Sequence, residues 1–280
     1  MAGNKITAAV VVFNKEISET ITCQKIKDID ADIDILVLDN SEKVTGNTEY
    51  CKNNGIRYIS MNGNKGLSKA YNAAVRNSLN SDVIVLFDDD TEVSKEYFDV
   101  LRKSLNRYPD VDIFAPIIKG QDGVIYSPNE FNFLRNHFIS DPRQKISQNS
   151  FNAIASCLAI RMRVFDGYRF NEKLFVDQVD QFFFCEQRKL GRKFRKLNVE
   201  ILQHFYQRGD TLTPEAGWRR LSLRIVDIFR HARLLGGRKY TFLAFVKCCG
   251  LGVQIGRKSK SIGVIMKAVG LSFSLLIHAR

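Results

Sequence analysis

The segment Val83-Ile84-Val85-Leu86-Phe87-Asp88-Asp89-Asp90 confines this chain to few folds. Five apolar residues, β-branched ones among them, read as a strand buried on both faces, as the strands of parallel α/β sheets are. Three carboxylates follow where that strand ends. In open α/β sheets, ligands bind outside the carboxyl ends of the strands. Carboxylates crowded there repel one another unless a positive charge sits among them. The simplest such charge is a divalent cation with oxygen ligands, itself holding a phosphate-bearing substrate. Asp88 and Asp90 project to one side of an extended backbone and form the expected pair, while Asp89 faces the other way, toward a sugar. Taken alone, the three residues also fit an acidic turn after a strand.

Further strands alternate with helical stretches. Ile6–Phe13, Ile33–Leu38, Ile56–Met61 and Val111–Ile118 are β-prone runs. Polar Glu16–Ile29, alanine-rich Leu67–Leu79 and Lys95–Tyr108 read as helices. This order predicts βαβ units and a mainly parallel sheet flanked by helices. Each strand ends in polar groups: Asn14, Asp39, Asn64 with Gly66, and the aspartates. Right-handed crossovers gather such ends along one edge. Asp39 can accept hydrogen bonds from a nucleobase, or its stretch is a turn or helix cap. Gly66 lets backbone approach a ligand at a helix N-terminus suited to phosphate, or simply makes a tight turn. Ser127–Ser150 is polar, irregular and rich in Asn and aromatics, and reads as a lid, an acceptor flap or a plain loop. Asn152–Ile160 reads as a strand near the core.

A second acidic group lies about ninety residues beyond the first, in Leu174-Phe175-Val176-Asp177-Gln178-Val179-Asp180. Asp177 and Asp180, three apart, are expected on one face at the start of a helix, as a general base or as N-terminal capping carboxylates. His204, after Val199–Gln203, is a candidate metal ligand or a structural histidine.

Charge divides the chain. The net charge is +12, yet the first 217 residues carry 29 basic and 29 acidic side chains. Trp218–Arg280 holds thirteen Lys or Arg against one acid, Asp227. Residues 1–216 are therefore expected to form the catalytic body, with a nucleotide-sugar half over about 1–118 and an acceptor half over about 119–216. Residues 217–280 form a basic helical region. Trp218, Leu221, Ile225, Ile228, Phe229, Ala232 and Leu235 recur at helical spacing between arginines, as on a helix lying on anionic lipid or packing on the body. Lys247 and Lys267 interrupt the later apolar stretches, which argues against a spanning helix. The six cysteines show no metal spacing and read as buried thiols in a reducing compartment. The first residues lack the pattern of a signal peptide. The expected location is cytoplasmic, peripheral at the inner face of the plasma membrane.

In order, these pieces resemble the inverting glycosyltransferases of family 2, which have the GT-A fold, over about Ile6–Gly209. Val10-Val11-Val12-Phe13-Asn14 resembles the family's first strand, and Leu36-Val37-Leu38-Asp39-Asn40-Ser41 its nucleotide-binding strand. Asn64-Lys65-Gly66-Leu67-Ser68-Lys69-Ala70-Tyr71-Asn72 resembles its NxGxxxAxN segment, and Asp88-Asp89-Asp90 its DxD motif. The resemblance implies Asp88, Asp90 and His204 on Mn²⁺ or Mg²⁺. It implies Phe13, Asn14, Asp39, Asn64, Gly66, Asn72, Asp88 and Asp89 on a nucleotide-sugar donor. Asp177 is the preferred base and Asp180 its competitor: many members carry Glu-Asp followed two residues later by Asp, where this chain has Asp177-Gln178 and then Asp180. The pattern is closest to rhamnosyltransferase-like enzymes of bacterial surface polysaccharides (O-antigen, capsule). It implies a UDP- or dTDP-sugar donor such as dTDP-rhamnose and a glycan or polyprenyl-diphosphate-linked acceptor. Two rivals are a sugar nucleotidyltransferase and a nucleic-acid-binding protein. The first should carry a Gly- and basic-rich loop where Phe13-Asn14-Lys15-Glu16 stands; the neutral body argues against nucleic acid.

Overall fold

The computed structural model describes residues 4–29, 32–205 and 212–278. The body begins with β1 (Ile6–Val12), α1 (Ile21–Ile29), β2 (Ile33–Asp39), α2 (Asn47–Asn53), β3 (Arg57–Ser60), α3 (Leu67–Arg76) and β4 (Val83–Phe87). Then follow the short β5 (Thr91–Glu92), α4 (Lys95–Arg107), β6 (Ile113–Lys119) and β7 (Ile125–Ser127). The central sheet is completed by β11 and β12, described below. Ser127–Ser150, read from sequence as irregular, contributes β8 (Asn129–Phe131) and β9 (Asn136–Phe138). These pair with β10 (Phe151–Asn152) in a separate three-stranded antiparallel sheet. The strand expected over Asn152–Ile160 is thus split. Cys157 adopts positive φ, and β11 (Leu158–Arg161) starts only after it. The body closes with α5 (Val179–Lys189) and β12 (Phe194–Gln203).

The main sheet runs β3-β2-β1-β4-β11-β6-β12-β5, with β7 attached to β6. It is parallel from β3 through β4. Beyond that it is mixed: β11 runs antiparallel to both β4 and β6, and β12 is parallel to β6. β4 is therefore the last parallel strand of the first half, and its carboxyl end opens where strand direction changes.

The continuous apolar run of β4 follows from burial on both faces. Val83, Val85 and Phe87 join one core layer with Cys23 and Ile26 of α1 and Tyr97, Phe98 and Leu101 of α4. Ile84 and Leu86 join the opposite layer with Tyr71 and Ala74 of α3 and Phe182 and Phe183 of α5. Alternation with period two divides the strand between the layers. Each such side chain stabilises by about 1.5–3 kcal/mol relative to exposure, so β4 is among the most firmly held elements.

The basic region forms three helices: α6 (Pro214–Leu235), α7 (Arg238–Lys258) and α8 (Ile262–Ile277). Thr213 caps α6 by accepting from the Ala216 N–H, with Pro214 in the first turn. The α6 stripe is not free to meet lipid. Leu221, Ile225, Ile228, Phe229 and Ala232 are buried against Phe133 of the small sheet, Ala244 and Cys248 of α7 and Val264 and Ala268 of α8. An exposed apolar stripe lies instead on α8, where Ile262, Met266, Val269, Phe273 and Ile277 recur every three to four positions, with Phe242 and Val246 exposed on α7. Among the described residues, no helix is long and apolar enough to cross a membrane.

α7 and α8 approach closely because glycines face the contact. A Cβ at Gly252 would come within 2.6 Å of the Ala268 Cβ, and one at Gly256 would overlap the Ile265 side chain. Gly256→Leu should therefore force the hairpin apart and cost about 1–3 kcal/mol, as overpacking does. A lowered melting midpoint in a thermal scan checks this; an unchanged midpoint contradicts the packing.

Candidate functional site

The acidic turn after β4 is held from both sides. Thr22 of α1 donates its hydroxyl to the Asp88 carbonyl (2.7 Å) and accepts from the Thr91 N–H (2.9 Å). Gln203, the last residue of β12, donates one amide nitrogen to Asp88 Oδ2 and to Asp90 Oδ1, both at 3.1 Å. The two carboxylates thus converge on one point, as their alternate positions predict. Asp89 points elsewhere and pairs with Lys15 Nζ at 2.7 Å, tying the end of β1 to the end of β4.

Charge accumulates in this crevice. Burial, then the charges of Asp90, Asp180 and Asp89, push the Asp88 carboxyl up to about 8. Burial likewise raises Asp90, although Gln203 opposes the shift. Asp180 is in the first turn of α5. Burial pushes it up to about 7, with the Ala155 N–H opposing at 3.3 Å and the Asp177 charge adding. The phenol of fully buried Tyr71 is raised by burial and then by Asp88 and Asp180 together. The fold therefore brings Asp180 beside the metal-type pair.

These residues fit a hard divalent cation. Two carboxylates face a single neutral amide, and Gln203 Oε1 is buried without a hydrogen-bond partner. Such a cluster of oxygens with uncompensated negative charge suits Mg²⁺ or Mn²⁺. His204 is placed differently from expectation. Its backbone N–H reaches the Asp90 carbonyl at 3.3 Å, but its ring nitrogen Nε2 lies 2.7 Å from Glu92, because β5 pairs with the end of β12. Among the described residues, no group of three His, Cys, Asp or Glu side chains is arranged to hold a metal.

The ends of β1 and β2 shape the neighbouring recess. Asp39 is buried and accepts from the Ser41 N–H (3.0 Å), Thr45 (3.1 Å), Asn47 (2.8 Å) and Tyr58 (3.0 Å). Burial would raise its pKa, but the hydrogen bonds outweigh it and leave the carboxyl below its ordinary value. Three of these donors crowd Oδ2, and the Ser41 N–H reaches Oδ1. Asn14, at positive φ, accepts from the Glu42 and Lys43 N–H groups, and Phe13 beside it is exposed. Asn64 accepts from Asn40 and from the Gly66 N–H. Asn72 is turned away from the crevice: both ends of its amide bind Phe170, and its nitrogen also reaches Glu172. A buried amide must find partners, and here the 170–172 loop supplies them all.

Asp177 and Asp180 do not share a helical face. Gln178 is left-handed (φ 64°), so α5 begins after it and Asp177 stands outside the helix. Asp177 pairs with Arg220 and, at 3.7 Å, with Arg224, both from α6. The segment carrying it is clamped on two sides. From α6, buried Asp227 accepts from the N–H groups of Phe175, Val176 and Asp177 at 2.8–3.1 Å. From α3, the Leu67 N–H and Ser68 hydroxyl donate to the carbonyls of Phe175 and Leu174. Gly66 has φ +87°, and a Cβ there would lie 2.5 Å from the Phe175 carbonyl oxygen. Only glycine meets both demands.

Sequence reasoning missed Gln203, Lys15, Asn40 and Asp227. For Asp227 a signal existed, since it is the lone acid in an otherwise basic region.

A family profile described as Glycosyl transferase family 2 matches residues 7–169. No curated protein matches the sequence. Solved structures share the fold. The S. aureus TarS fragment 1–349 with UDP is 14% identical, with TM-score 0.52, over 98% of this chain and 90% of that one. GalNAc-T7 with UDP, GalNAc and Mn²⁺ is 13% identical, with TM-score 0.59, over 98% of this chain and 55% of that one. Glucosyl-3-phosphoglycerate synthase from Mycobacterium tuberculosis, with Mn²⁺, UDP-glucose and phosphoglyceric acid, is 14% identical, with TM-score 0.53, over 82% and 80%.

Replacing Asp227 by Ala should strip three backbone N–H groups of their acceptor and leave Arg230 unpaired, costing about 3 kcal/mol or more. Thermal unfolding checks the size of the loss; a variant as stable as the parent would show that α6 does not hold the segment.

Proposed function

Because the chain belongs to glycosyl transferase family 2, and is a glycosyltransferase of GT-A fold, we propose an inverting transfer from a UDP- or dTDP-sugar. The acceptor is a hydroxyl of a glycan or of a polyprenyl-diphosphate-linked oligosaccharide, in cell-surface polysaccharide synthesis. One observation carries this reading: Asp88 and Asp90 converge on a single point, with Asp180 packed into the same crevice. Two carboxylate tasks are thereby available side by side. The nucleotides and Mn²⁺ named with the structural neighbours support the donor class and a divalent ion.

Asp88 and Asp90 would hold Mn²⁺ or Mg²⁺, which would offset negative charge on the nucleoside diphosphate leaving group. The recess at Phe13, Asn14 and Asp39 takes the nucleoside, with Asp39 at its floor held by Ser41, Thr45, Asn47 and Tyr58. The Asn64–Gly66 turn and the start of α3 lie next to it. A carboxylate at the head of α5 accepts the proton from the acceptor hydroxyl, and a single displacement inverts the anomeric carbon.

Electrostatics favours Asp180 for that proton, since burial raises its carboxyl to about 7 and, among the described residues, no arginine pairs with it. A second reading gives the task to Asp177, favoured by its pairing with Arg224, which lines a cavity between α5 and the basic helices. Lipid contact, if the acceptor is membrane-borne, falls to the exposed α8 stripe with its neighbouring Lys and Arg rather than to α6.

Asp180→Asn should abolish transfer and leave nucleotide binding in place, whereas Asp177→Asn should retain measurable transfer; the reverse pattern makes Asp177 the base. With Asp180 as base, kcat should fall about tenfold per unit on the acid side, with a midpoint at or below about 7, since the carboxylate is lost as pH drops. A flat profile from pH 8 to 5 contradicts it. Asp90→Asn should weaken nucleotide binding in Mn²⁺ and change nothing in EDTA, as titration calorimetry would read; release of nucleoside diphosphate rather than pyrophosphate identifies the reaction class.

A further inference from the structure

A cavity of about 500 Å³ opens between the small sheet, the head of α5 and the basic helices. Its wall includes Gln178 and Gln181, which flank Asp180 and Asp177 in sequence, so it adjoins the acceptor side of the crevice. Three cations line it: Arg135 of the β8–β9 turn, Arg224 of α6 and Lys247 of α7. The nearest acid is Asp177, already shared between Arg220 and Arg224. Positive charge therefore exceeds negative.

Arg135 is exposed, whereas Lys247 and Arg224 are held against the protein. Lys247 Nζ sits 5.4 and 5.3 Å from the ring centres of Phe131 and Phe133 and donates to the Phe133 carbonyl at 2.8 Å. Burial, and then Arg224, lower its pKa to about 8, so the site strains to keep it charged. Arg224 Nε is buried without a hydrogen bond, with Asp177 Oδ1 3.7 Å away. A bound oxyanion would satisfy that donor and offset the repulsion between the two groups. A phosphoryl group suits best, because it spreads up to two negative charges over several oxygens that separate cations can share.

We propose that this cavity binds a phosphoryl group carried by the acceptor, and so selects phosphorylated acceptors. The inference rests on the transferase reading above. Leu134, Val246 and Leu251 in the same wall leave an apolar flank for whatever the phosphate is attached to, lipid or soluble ester.

The test uses the full chain in EDTA, so that Asp88 and Asp90 do not draw the probe through a cation. Glycerol 1-phosphate and geranyl phosphate are titrated by calorimetry at fixed salt. Both should bind the parent. Arg224→Gln and Arg135→Gln should each weaken binding about tenfold, the loss of one charge-assisted hydrogen bond. Gly250→Leu is the control for folding: Gly250 lines the cavity on α7, and a Cβ there meets nothing within 4 Å. It should block the probes without lowering the melting midpoint. Tighter binding of geranyl phosphate assigns the phosphate to a lipid; equal binding assigns it to a soluble ester, and both support the site. No binding to the parent, or equal binding by parent and variants, overturns it. Binding of UDP or dTDP in Mn²⁺ is measured alongside. If it persists while the phosphate probes fail, this inference alone is wrong; if it is absent while they bind, the donor reading fails instead.

Discussion

Crowded negative charge at one sheet edge is the constraint on which the site depends. Asp88, Asp90 and Asp180 are half-buried, and burial raises all three carboxyls, with the Asp180 charge adding at Asp88. Such an arrangement is unfavourable for folding by itself. It persists because β4 is anchored by apolar contacts on both faces, and because Thr22 and Gln203 hold the turn. Stability built in the core is thus used to keep charges in a half-buried place that raises their cost. A cation and a diphosphate would restore the balance, so affinity for the donor is already present in the protein's own repulsion.

The same logic explains why the basic helices belong to the machine. Asp227 is the single acid among thirteen basic residues, and it is fully buried. It binds three successive N–H groups of the segment leading into α5. Gly66 and Ser68 of α3 grip that segment from the opposite side. The head of α5 is therefore positioned jointly by α3 and α6. Removing residues 217–280 would uncover the apolar face beneath α6 and release Asp177 from its arginines.

Local patterns were strong where one element suffices to explain them. The apolar runs of β1, β2, β4 and β6 announce buried strands, and the acids after β4 announce a site. Other features depend on partners distant in the chain. The small sheet within Ser127–Ser150 has strands of two or three residues, too short for a periodic signal. Asn72 looks like a ligand in its motif, yet its amide closes on a loop a hundred positions away. His204 stands next to Gln203, but β5 pairing gives its ring to Glu92. Left-handed Gln178 separates Asp177 from Asp180, and no residue preference demands that conformation of a glutamine.

By itself, the sequence determined the class of fold, the order of the strands' polar ends, the family and the division into a neutral body and a basic region. Those follow from hydrophobic period and charge, which neighbouring residues set locally. Only the tertiary structure decided which acids meet, that Gln203 stands between two of them, that α6 faces protein instead of lipid, and that three cations surround one cavity. Side chains from separated elements meet only when packing closes the chain, and their mutual charges and hydrogen bonds then set what each group can do.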